Sequence, residues 1–159
     1  MPIGSGWDVP ADVKDRVEFH WFHVPVSGSL VLGVLSTAPT WYVGHFDGKR
    51  MQECTGKGCD LCAKGMGTQL RYVVSCVDIS THQVGVFEFG ASVSMLLQQW
   101  SSGIGYLRGL TIEIGRASKS KHSRMEVKLI REAPLAWVLA TNPLDLVEVL
   151  ERTWERADK

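Results

Sequence analysis

Between two stretches that read as ordinary strands lie about thirty residues, 37–68, that hold Pro39, six glycines and the cysteines Cys54, Cys59 and Cys62. No other stretch constrains the fold as much. Such chain has little apolar surface to bury, yet each ordered residue costs roughly 1–2 kcal/mol of backbone entropy. Something other than hydrophobic packing must hold it. With His45 the cysteines read H-x8-C-x4-C-x2-C. A C-x2-C pair on a tight turn offers two thiolates to a tetrahedral ion, and Gly58 lets the backbone wrap it. A structural zinc ion on His45, Cys54, Cys59 and Cys62 is therefore expected. Three thiolates overcompensate a divalent ion, and Lys57 and Lys64 offset the excess. Binding of this kind supplies on the order of 10 kcal/mol toward folding. Free core cysteines are common, but this loop has no core for them to join. His82 and His122, each in a hairpin turn, are the rivals to His45; His20 and His23 sit in an aromatic stretch, and Cys76 reads as core.

The flanking sequence is patterned for strands. Ser29–Ser36 is apolar and β-branched. Gln69–Asp78 places Leu70, Tyr72, Val74 and Cys76 on one face, and a turn at Ile79–His82 leads into Gln83–Phe89. Ala91–Ser101 has helical spacing, with Ser92 or Ser94 as the expected cap and Val93, Met95, Leu96, Leu97 and Trp100 as its apolar positions. Leu107–Arg116 and Arg124–Arg131 alternate again, and a helix over 142–157 is opened by Asn142-Pro143. Residues 1–15 read as a loose arm. Strand, insertion, strand, strand, helix, strand, strand, helix is the element order of a five-stranded OB-fold. The expectation is one mainly β domain over 1–159, a small barrel with flanking helices and a zinc-binding insertion between its first two strands.

At 159 residues a single domain with an ordinary core is the default. The 17 basic and 17 acidic side chains cancel, but they are segregated. Residues 1–40 carry two basic and four acidic side chains, 41–131 twelve and seven, 132–159 three and six. A positive body between acidic ends points to an anionic partner. No apolar run reaches the ~20 residues a bilayer requires, and the N-terminus lacks a signal-peptide pattern, so a cytoplasmic protein is expected. Motifs of phosphate-binding loops, zinc proteases and serine hydrolases are missing, so binding is expected here and catalysis is not.

Cations and rings occur together, the two ingredients of single-strand binding. The most basic stretch, 108–131, sets seven cations against Glu113 and Glu126. It spans the hairpin where OB-folds carry a nucleic-acid-binding loop. The candidate contacts are Trp41, Tyr42, Arg50, Arg71, Tyr72, Phe87, Arg116, Lys119, Lys121, Arg124 and Lys128. Trp100, Trp137 and Trp154 read instead as packing residues on helical stripes.

A histidine with a three-cysteine knuckle, His45, Cys54, Cys59 and Cys62, set between the first two strands of this order, resembles the zinc-containing single-stranded-DNA-binding proteins of bacteriophages; its ligand spacings are shorter than theirs. The resemblance covers roughly residues 29–131. It implies a protein that coats exposed single strands of DNA, or of RNA, during replication or recombination, beside other proteins of those processes, in a bacterial cytoplasm. The competing reading is a zinc-stabilised protein-interaction module of a phage or transcription complex that uses its C-terminal helix.

Overall fold

Alternation and β-branching carry Gln69–Asp78 into a ten-residue strand, and the rest of the sheet is assembled around it. The computed structural model describes residues 19–46, 51–103, 105–120, 123–131 and 134–157; the arm at 1–15, and Arg50, Lys121 and His122, lie outside them. In chain order the strands are β1 (Ser29–Val34), β2 (Thr40–Phe46), β3 (Met51–Glu53), β4 (Gln69–Asp78), β5 (Val84–Phe89), β6 (Thr111–Arg116) and β7 (Met125–Arg131). The helices are α1 (Asp60–Ala63), α2 (Ala91–Ser101), α3 (Ala136–Leu139) and α4 (Leu146–Ala157). No described helix is long and apolar enough to cross a membrane.

All seven strands join one antiparallel sheet in the order β3-β2-β4-β1-β6-β7, with β5 on the second edge of β4. The five-strand expectation is thus corrected to seven. The extra two, β2 and β3, arise inside the stretch expected to be irregular. Its glycines and Pro39 mask a β-prone run, Thr40–Val43, which pairs with the first half of β4. The five expected strands form the ladders β5-β4-β1-β6-β7, and no ladder joins β5 to β7 among the described residues. The described sheet is therefore open along that seam, with α2 packed against β4 and β7.

β1 and β2 share one edge of β4 and are halves of a single run. Val34 faces Cys76 and Thr40 faces Val73, so six steps on one side meet three on the other and three residues bulge out between. Ser75 absorbs the break. Its carbonyl accepts from Leu35 N (2.8 Å) and Ser36 N (3.3 Å), and its own N–H donates to Ser36 Oγ (2.7 Å). Ser36 and Ser75 are both buried, so these bonds replace a ladder that water could not.

β4 is buried on both faces. One face sends Val74 and Cys76 into the main core, with Leu32, Val34, Phe87, Phe89, Ile112, Ile114 and Val127 from the other strands and Val93 and Leu97 from α2. On the other, Val73 and Val86 lie under Leu146, Val149 and Leu150 of α4, and Val77 packs on Val138 of α3. Phe19 and Trp21 cover the same side. There Phe22 N donates to Val86 O and Val86 N to His20 O, both at 2.8 Å. A Cβ on Gly85 would lie 2.7 Å from the His20 carbonyl, so only glycine lets the chain cross here. Ser75 Oγ accepts from Leu144 N at 2.9 Å and ties the C-terminal segment to β4.

Three local expectations change. α4 begins at Leu146, where Glu148 N donates to Asp145 Oδ1 (3.3 Å), so Asp145 and not Asn142 opens it. α2 keeps its expected bounds, but neither Ser92 nor Ser94 is its N-cap; that position is Gly90, with no side-chain cap. Met95 stands outside the apolar stripe, 71% exposed. The short helix α3 has no sequence signal of its own. Ser75→Ala leaves the Leu144 N–H without its acceptor and is expected to cost about 1–3 kcal/mol. The exposed Ser102→Ala is expected to shift stability by under ~0.5 kcal/mol, both read from urea unfolding midpoints.

Candidate metal centre

The β2–β3 hairpin and the turn after it bring the four expected ligands together. His45 is the penultimate residue of β2 and fully buried; Cys54 follows β3; Cys59 precedes α1 and Cys62 lies within it. Their ligand atoms all lie within 4.8 Å of one another. Cys54 Sγ is 3.5 Å from Cys62 Sγ, and His45 Nε2 is 3.4 Å from Cys62 Sγ and 3.6 Å from Cys59 Sγ. A tetrahedron with metal–sulfur bonds of about 2.3 Å and a metal–nitrogen bond of about 2.0 Å has edges of roughly 3.5–3.8 Å. The cluster has the size and the donor set to hold a metal ion.

Local geometry explains why this sequence closes here. A Cβ at Gly44 would lie 2.8 Å from Met51 Cε and 2.9 Å from Gln52 O, so β2 and β3 pack tightly just before His45. Cys54 N donates to Val43 O (2.8 Å) and returns the chain alongside β2. Gly56, Gly58 and Gly65 all have positive φ, and the knuckle closes with Cys59 N to Gly56 O (3.1 Å) and Gly65 N to Cys62 O (3.0 Å). His45 Nδ1 lies 3.0 Å from the Gly67 carbonyl. A carbonyl only accepts, so Nδ1 carries the proton and Nε2 turns its lone pair toward the sulfurs, the tautomer a metal ligand needs.

The electrostatics divide the thiols. The backbone N–H of Cys62, then that of Thr55, hold the Cys59 thiol down to about 5, whereas hydrogen bonding to Cys54, then burial, pushes Cys62 up to about 11. The Cys54 sulfur raises the proton affinity of His45 against the opposing effect of burial. Sulfurs this close attract a proton or a metal ion, and the two compete. Cys76 is separate: it is fully buried in the main core, and burial raises its thiol. Among the rivals to His45, His82 stacks on Trp137 with ring centroids 4.2 Å apart, outside the cluster.

The candidate nucleic-acid contacts are not brought to one surface. Lys119, Arg124 and Lys128 are exposed on or beside the β6–β7 hairpin, and Arg116, half-buried, donates from Nη1 to Ser123 O (3.0 Å). Trp41, 64% exposed, stands on β2, separated from β7 in the strand order by β4, β1 and β6. Two candidates are corrected. Phe87, 1% exposed, lies in the main core, and Tyr42 is buried edge-on against Trp154 at 5.1 Å with its hydroxyl donating to Glu88. Neither ring can stack on a base. Burial and the Glu88 carboxylate raise the Tyr42 hydroxyl well above the usual tyrosine range. Arg71 is 3.4 Å from the same Glu88, and Tyr72 stacks on Phe89 at 5.7 Å. Arg108, part of the basic stretch, is a clamp: its guanidinium donates to the carbonyls of Leu35, Leu139 and Thr141. Tyr42 reads as accessible because its stretch of sequence reads as irregular polar loop, and nothing near it in the chain signals that α4 covers it.

Comparison with protein-family models, curated proteins and solved structures finds no match for this chain.

Cobalt(II) added to metal-free protein is expected to give thiolate charge-transfer and tetrahedral d–d absorption saturating at about one ion per chain. Cys59→Ala or His45→Ala should weaken that binding at least about tenfold; unchanged titrations would remove those residues from the site. Acidification is expected to release the metal, because every ligand must shed its proton to bind. A chromogenic chelator followed from pH 7 downward checks the direction.

Proposed function

We propose that the chain binds single-stranded DNA without strong sequence preference, and that His45, Cys54, Cys59 and Cys62 hold a structural zinc ion. The observation that carries the nucleic-acid reading is the exposed cationic hairpin with Lys119, Arg124 and Lys128. Arg124 and Lys128 also line a groove of about 400 Å3 between β7 and α2, two cations to the one carboxylate of Glu126, with Ser92, Leu96 and Met125 beside them. Cations over a partly apolar groove suit a phosphate backbone that carries bases. Support for an OB-fold comes from the ladders β5-β4-β1-β6-β7, which follow its strand order but lack the β5–β7 closure among the described residues. In that order the metal-bearing arm and the β6–β7 hairpin are the two loops such folds use for oligonucleotides.

Zinc is favoured over other ions by the donor set, three thiolates and one imidazole at tetrahedral spacing. The reducing cytoplasm, where thiols persist as ligands, is the compartment that suits it. The protein acts by binding and holds no catalytic role in this reading. Its place is on exposed strands in replication or recombination. Because Tyr42 and Phe87 are buried, attraction outweighs stacking, and the complex is correspondingly sensitive to salt.

Anisotropy of labelled oligo-dT is expected to report an affinity that falls about twentyfold between 50 and 200 mM salt for three phosphate contacts. Arg124→Glu with Lys128→Glu should abolish binding while leaving the unfolding midpoint in place. Absence of binding in low salt would defeat the nucleic-acid reading. Elemental analysis of the purified protein should return one zinc per chain.

A further inference from the structure

A second groove, of about 590 Å3, lies at the other end of the sheet, between β2 and α4, and its chemistry is opposite to that of the hairpin. Its wall is apolar: Trp41 and Val147 are 64% and 55% exposed, with Leu150 and Trp154 beside them. Glu53 from β3 and Glu151 from α4, both exposed, supply carboxylates to its lining, and no cation lines it among the described residues. Tyr42 packs under α4, so its strand neighbour Trp41 faces the other side of the sheet, and the β2 edge carries exposed apolar side chains on both faces, Val147 on the α4 side and Trp41 opposite. A phosphate here would face two carboxylates. A lysine or arginine would pair with them.

The backbone adds a second, independent argument. β2 pairs with β4 over Thr40–Gly44 but with β3 only over Gly44–Phe46. The edge of Thr40–Tyr42 that faces the groove therefore has no ladder partner among the described residues. Free edge, apolar wall and acidic lining are what an extended peptide needs: main-chain hydrogen bonds for affinity and alternate side-chain pockets for selectivity. The chain's own residues 1–18 carry four acidic and two basic side chains, the wrong sign for this lining.

We propose that this groove docks an extended basic segment of a partner protein, which adds to the β2 edge with alternate side chains on the two faces, a lysine or arginine on Glu53 or Glu151 on the α4 side and an apolar side chain against Trp41 on the other. The assignment does not rest on nucleic-acid binding by the hairpin. Cys54 lines the same groove, so the metal centre fixes one of its walls.

The probe is a synthetic octapeptide alternating leucine with arginine, set against its leucine–glutamate twin, with binding read by anisotropy on the full chain. The arginine peptide is expected to bind and its twin to fail. Glu53→Gln with Glu151→Gln should weaken binding about tenfold, as should Trp41→Ala, whereas Glu113→Gln with Glu126→Gln on the far hairpin should leave it unchanged. Glu53, Glu151 and Trp41 are exposed side chains, so thermal unfolding of those variants is expected to stay in place and to separate lost contact from lost fold. Equal binding of the two peptides, or full binding by the Glu53/Glu151 variant, overturns the proposal. So does a Trp41→Ala protein that loses oligo-dT and keeps the peptide, which hands the groove to nucleic acid. Self-association of the free chain that the Glu53/Glu151 variant abolishes would make the occupant a second copy and overturn it as well.

Discussion

A strand hydrogen-bonded along both edges and covered on both faces is the constraint around which this molecule is organised. β4 pairs with β5 on one side and with β2 and then β1 on the other, and water cannot satisfy any backbone group that these ladders miss. Where the run from β1 into β2 slips by three residues, the bonds that would be lost are remade by Ser36 and Ser75. The slip lets one neighbour bend away to join β6 while the other continues as the arm that carries the four candidate ligands. Ser75 then uses its hydroxyl to receive Leu144, so the same residue that mends one face of the sheet anchors the cover of the other.

The arm reaches past the cores that stabilise the rest. β3 is three residues long and α1 four, and neither contributes a large buried side chain beyond Met51, which only borders a core cluster. Four donor atoms within 4.8 Å replace the missing apolar burial. The Gly67 carbonyl orients the imidazole, and backbone N–H groups near Cys59 favour its thiolate. The backbone thus turns the donors toward one point, where a bound ion would offset the entropy of ordering a glycine-rich segment.

Charge is sorted by the fold into two surfaces of opposite character. Cations gather on the β6–β7 hairpin at one end of the strand order, while Glu53 and Glu151 meet in the groove beside β2 at the other. A net charge of zero conceals this polarity. The cationic groove borders β7 and α2, both foreseen in the sequence, but the acidic one borders β2 and β3, which were not, and needs Glu53 and Glu151, almost a hundred residues apart, which no periodicity relates.

What the sequence by itself determined was local. The spacing of His45, Cys54, Cys59 and Cys62 specified a cluster of four donors close enough to hold a metal ion, because donors within eighteen residues are joined by turns that glycine permits. The period-2 runs specified five of the seven strands, and the periodicity of Ala91–Ser101 specified α2 to its ends. Tertiary structure decided the rest. Thr40–Phe46 became a strand because β4 had a free edge beside it, an opportunity its glycines and Pro39 concealed. Tyr42 and Phe87 went from candidate contacts to core, and Arg108 from surface cation to clamp, because helices and loops remote in sequence pack over them. Burial depends on what lies opposite a side chain in space, and the pattern of neighbours along the chain carries no record of it.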